Sequence, residues 1–69
     1  MVRSLPEYLT RGGTKSAIAE SWGKTRQQVG NLVKDSPENF LVEFNPLNPK
    51  RVLKFWQVLG DKVYFEAEA

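Results

Sequence analysis

The sequence predicts an α+β fold: three short N-terminal helices containing a helix-turn-helix, then a small antiparallel three-stranded sheet. Three observations carry that expectation. Capping residues recur at Ser4, Thr14 and Thr25, each ahead of apolar residues at i, i+3 and i+4 spacing. Beyond Ser36-Pro37 the apolar residues change to short aromatic and β-branched runs. Gly60-Asp61 then lies between two such runs and suits a two-residue hairpin turn.

The first helix starts at Ser4-Leu5-Pro6-Glu7, where Ser4 can cap and Glu7 can close a capping box. Pro6 falls in the first turn, where its missing N–H costs little. Leu5, Tyr8 and Leu9 form the apolar stripe, and Gly12-Gly13 stops the helix. Helix two is expected from Lys15 to about Trp22, capped by Thr14, with Ile18, Ala19 and Trp22 on one face. Gly23 follows as a left-handed residue. Helix three starts at Thr25, which pairs with Gln28 as a second capping box. Val29, Leu32 and Val33 give its buried stripe, and Pro37 ends it.

Strands are expected at Phe40–Phe44, Arg51–Val58 and Lys62–Ala67, with Asn45 to Pro49 as a loop. The Gly60-Asp61 turn places Val58 opposite Val63, Gln57 opposite Tyr64, Trp56 opposite Phe65 and Phe55 opposite Glu66. Val52, Trp56, Val58, Val63 and Phe65 would then cover the helices. Leu53, Phe55, Gln57, Tyr64 and Glu66 would form the second face.

The 69 residues make a single domain, helical over 1–36 and sheet over 37–69. A chain this small buries only about 60% of its unfolded surface, so oligomerisation is a plausible source of added stability. There is no cysteine and no histidine, which excludes disulfides, thiolate metal sites, serine triads and zinc fingers. The eight acidic residues stand as scattered charges, and no phosphate-binding glycine loop is present. An enzyme, a cofactor, a metal and a small-molecule substrate are therefore not expected. Nor is a membrane partner, since the apolar runs are too short to span one. The lack of cysteine fits a cytoplasmic location. Residues 1–35 carry six basic and three acidic groups, whereas residues 36–69 carry four and five. A basic N-terminal half suits a surface facing phosphates.

The outward residues of helix three carry the most specific chemistry. Arg26 can bond guanine O6 and N7 together, and Gln27, Gln28 or Asn31 can bond adenine N6 and N7. Thr25 stands at the same end of the helix. Lys15, Ser16, Lys24 and Lys34 flank it as candidate phosphate contacts. Lys50, Arg51 and Lys54 could reach the phosphate backbone from the sheet, but a solvated strand edge is the favoured expectation for all three. Gly30 either permits close approach of a ligand or relieves a clash with helix two. Trp22 and Trp56 could stack on bases as in single-strand binders, but both lie on apolar faces and are expected in the core. Leu53, Phe55 and Tyr64 are candidate dimer contacts, with intramolecular packing as the alternative.

Ser4-Leu5-Pro6-Glu7-Tyr8, the set Ala19, Gly23, Val29 and Leu32, and the Phe55 to Glu66 hairpin together resemble the Cro repressors of lambdoid bacteriophages. The resemblance covers most of the chain and departs from the family over Phe40 to Lys50. It implies a small dimeric transcriptional repressor, in a bacterial host cell, that binds a near-palindromic operator in double-stranded DNA through the major groove. It also implies base reading by Thr25, Arg26, Gln27, Asn31 and Lys34, and a homodimer paired through the C-terminal strands. Two alternatives stand beside it. One is a winged-helix excisionase or architectural factor with Gly60-Asp61 as the wing. The other is a phage-encoded protein-interaction module or inhibitor acting through the sheet.

Overall fold

The computed structural model describes the backbone of residues 1–68 and the side chains of residues 1–63. The chain is α+β. A short strand β1 (Val2–Ser4) leads into α1 (Leu5–Thr10), α2 (Lys15–Trp22) and α3 (Arg26–Val33). A 3-10 turn (Pro37–Asn39) then leads into β2 (Phe40–Asn45), β3 (Asn48–Leu59) and β4 (Lys62–Glu68).

The helices begin where side chains satisfy their free N–H groups. The Ser4 hydroxyl accepts from Glu7 N–H at 3.5 Å, and Thr14 accepts from Ala17 N–H at 3.0 Å. The Glu7 carboxylate pairs with Arg3 at 3.0 Å and approaches Arg11 at 4.0 Å. At α3 the box is reciprocal: Thr25 Oγ1 accepts from Gln28 N–H, and Gln28 Oε1 accepts from Thr25 N–H at 2.9 Å. Gly23, at φ 74°, ends α2 in the left-handed region. Its N–H and that of Lys24 close on the Glu20 and Ala19 carbonyls. Of the α1 stripe, Leu5 and Tyr8 are buried and Leu9 lies at the surface.

The sheet has four antiparallel strands in the order β1-β2-β3-β4, one more than the sequence predicts. The added strand is β1. Val2, Arg3 and Ser4 pair with Glu43, Val42 and Leu41. The Met1 ammonium donates to Phe44 O at 3.0 Å, and Phe44 N–H donates to Met1 O at 2.9 Å. β3 also begins at Asn48 rather than Arg51, because the expected loop is only a tight turn at Pro46-Leu47. Asn45 Oδ1 accepts from Leu47 N–H at 2.9 Å, which closes that turn through a side chain.

Irregularities in β3 and β4 overturn the expected register and faces. Val58 pairs with Val63 and Leu59 with Lys62, as the hairpin turn requires. Beyond them a register shift leaves residue 64 unpaired. Gln57 therefore meets Phe65, Trp56 meets Glu66 and Phe55 meets Ala67. On the other side of β3, Glu43 pairs with Lys54 but Phe44 with Val52, so Leu53 is a bulged residue. A bulge reverses the alternation of everything beyond it. Val52 and Phe55 consequently both face the helices, while Trp56, Val58 and Val63 lie on the outer face.

The core lies between the helices and the inner sheet face. It joins Leu5, Tyr8, Ala17, Ile18, Ala19, Val29 and Val33 to Phe40, Val42, Phe44, Val52 and Phe55. Tyr8 is fully buried, its ring 4.8 Å from that of Phe44 and its hydroxyl donating to Pro49 O at 2.7 Å. Burial pushes the Tyr8 phenol above its ordinary pKa, so it stays the neutral donor that this bond needs.

Candidate nucleic-acid interface

α3 sorts its residues by face. Val29 and Val33 are buried and Leu32 packs partly against the core. Arg26, Gln27, Asn31 and Lys34 are exposed on the opposite side. Val29 and Val33 are one turn apart, and their anchoring fixes which way the exposed set points. Lys24 and Ser16 are exposed and Lys15 is half-buried, at the two ends of α2. Lys15 and Ser16 thus stand at the start of α2, Lys24 in the turn before α3, and Lys34 at the end of α3.

The capping box divides the candidate base readers. Gln28 Oε1 is already engaged by the Thr25 N–H. Bidentate recognition of adenine needs both the oxygen and the nitrogen of an amide, and the Thr25 bond holds the Gln28 oxygen toward the helix start, which makes Gln28 the less available reader. Thr25 Oγ1 likewise accepts the Gln28 N–H and retains its own hydroxyl hydrogen as a donor. Among the described residues Arg26, Gln27 and Asn31 make no side-chain hydrogen bond or ion pair, so both amides and the guanidinium fork are available there. Lys24 Nζ lies 5.8 Å from the centre of the Trp22 ring, which holds the cation near the helix turn. Trp22 itself is half-buried beside Phe55, with ring centres 6.3 Å apart.

A side chain at Gly30 would meet nothing within 4 Å. Relief of a clash with α2 is therefore not its role. Gly30→Ala is expected to raise stability by about 0.5–1 kcal/mol, because alanine restricts the unfolded chain and favours helix. Chemical denaturation of the two proteins checks this.

The expected dimer contacts separate. Phe55 is a core residue, stacked on Phe40 with ring centres 5.3 Å apart and an interplanar angle of 16°, so it cannot serve as an outer-face contact. Leu53 is exposed at the bulge. The Tyr64 side chain lies outside the described residues. Trp56, assigned from sequence to the core, is half-buried on the outer face beside Leu41, with Lys54 Nζ 5.2 Å from the centre of its ring. Val58 continues this apolar strip and Val63, opposite it, is 53% exposed. The alternation groups Trp56, Val58 and Val63 on one face but assigns that face to the helices, because it takes Val52 with them and does not see the bulge at Leu53.

Among the described residues no cluster of acidic side chains is placed to hold a metal ion. No helix among them is long and apolar enough to cross a membrane. The chain matches no protein-family profile, no curated protein and no solved structure.

Proposed function

We propose that α2, the Gly23 turn and α3 act as a helix-turn-helix, and that the protein is a sequence-specific repressor of the Cro type. In this reading the N-terminal half of α3 enters the major groove of double-stranded DNA. One observation carries it: α3 is anchored by Val29 and Val33 while its opposite face exposes Arg26, Gln27 and Asn31, whose side chains bond to none of the described residues. Lys15, Ser16, Lys24 and Lys34 would hold the phosphates, and Gly30 would let the helix backbone approach the groove. One α3 covers few base pairs, so the functional unit is a homodimer on a near-palindromic operator. The apolar outer-face strip of Trp56, Val58 and Val63 supports pairing through the C-terminal strands. The setting is the cytoplasm of a bacterial host.

Selection of bound sequences from a random duplex pool tests this. A two-fold symmetric consensus should emerge. Arg26→Ala should relax one base pair in each half-site at a cost of about 1–3 kcal/mol, read by titration. No duplex affinity at ~50 mM salt, where phosphate contacts are strong, would sink the reading.

A further inference from the structure

We propose that Lys50 and Arg51 form a second contact with duplex DNA, a phosphate clamp set by a bulge in β3. This inference rests on the DNA-binding reading above. Asn45 pairs with Asn48 and Phe44 pairs with Val52, so Pro49, Lys50 and Arg51 have no opposite residue in β2. A bulge this wide leaves the ladder and re-aims the side chains it carries. It is nevertheless held in place. The buried Tyr8 hydroxyl donates to Pro49 O at 2.7 Å, and the Pro49 ring lies 3.7 Å from where a Gly12 side chain would begin.

The anchored bulge puts Lys50 and Arg51 on one wall of an open cleft of about 530 Å³. Ala17, Glu20 and Ser21 of α2 form the facing wall. Both cations are exposed, and among the described residues neither makes an ion pair or a side-chain hydrogen bond. Among those residues Glu20 is the one acid lining the cleft, so the two cations outnumber it.

The chemistry fits a phosphodiester backbone. A guanidinium fork binds a phosphate through two parallel hydrogen bonds, and a lysine beside it adds a point charge. The placement fits as well. α2 packs against α3 on one side and β3 on another, so the cleft and α3 flank the same helix. The domain is 29 Å along its longest axis, and the major groove is about 12 Å wide. In the proposed arrangement α3 lies in the groove and the clamp meets the backbone at its rim.

Titration of the full chain onto a mixed-sequence duplex over a range of salt tests the clamp without knowledge of an operator. The comparison is with the double variant Lys50→Gln, Arg51→Gln, whose side chains are exposed and whose melting curve should match that of the parent. The plot of log K against log salt is expected to become shallower by about 1.8, or about 0.9 for each phosphate no longer neutralised. The consensus recovered from a random pool should stay the same. An unchanged slope overturns the clamp while leaving α3 recognition standing. A changed consensus also overturns it, since the pair would then be reading bases. If the parent protein binds no duplex at all, both the clamp and the reading beneath it fall.

Discussion

Gly13→Ala is expected to destabilise the domain by about 3 kcal/mol or more, the upper end of overpacking costs. A Cβ built on Gly13 would lie 2.2 Å from Tyr8 Cζ and 2.4 Å from both Cε atoms, inside the ring's own volume. The ring has nowhere to retreat. Phe44 packs against it, and its hydroxyl is tied to Pro49 O. The backbone at Gly13 is also fixed, since its N–H donates to Tyr8 O at 3.1 Å. In a domain of this size each kcal/mol moves the thermal midpoint by about 4–8 °C, so the midpoint should fall by roughly 12–24 °C. A melting curve within a few degrees of the parent would show that the helix junction does not rest on Tyr8.

Phe55→Ala should cost still more, about 3–5 kcal/mol, as for other buried phenylalanines. Total stability for a chain of this length is expected at roughly 0.05–0.15 kcal/mol per residue, so this loss would consume much of it. Phe55 is 1% exposed and stacks on Phe40 while touching Trp22, so the cavity would open between β3 and the helices. The measurement also separates two roles for this residue. A core residue lowers the melting midpoint at every protein concentration. A dimer contact would instead leave the monomer folded and remove only the concentration dependence. The first outcome is expected.

The helices were legible because their signals are local. Thr14, Gly23, Thr25 and Gln28 act within four residues of themselves, and each does in the structure what its residue type favours. The exposed set Arg26, Gln27 and Asn31 followed from the same periodicity. The sheet was legible only in part, because its departures from regularity answer to distant residues. β1 is three residues long, too short for alternation to show, and is defined by pairing with β2 some forty positions later. The bulge at Pro49–Arg51 is secured by Tyr8, and the one at Leu53 lets both Val52 and Phe55 reach the core. A strict two-residue period over the same stretch sorts Phe55 and Trp56 onto the wrong faces. It also makes Lys50 and Arg51 look like an ordinary strand edge.

The pairing of β1 with β2 has a consequence for how the chain is made. All three helices lie inside the loop that this pairing closes, so their packing is completed by strands that follow them in sequence. During synthesis α2 and α3 emerge before Phe40, Val52 and Phe55 exist to bury their apolar stripes. Helices this short are marginal in water on their own. The α3 surface should therefore form late and in one cooperative step with the sheet, and a nascent or truncated chain ending before β3 would present no ordered α3.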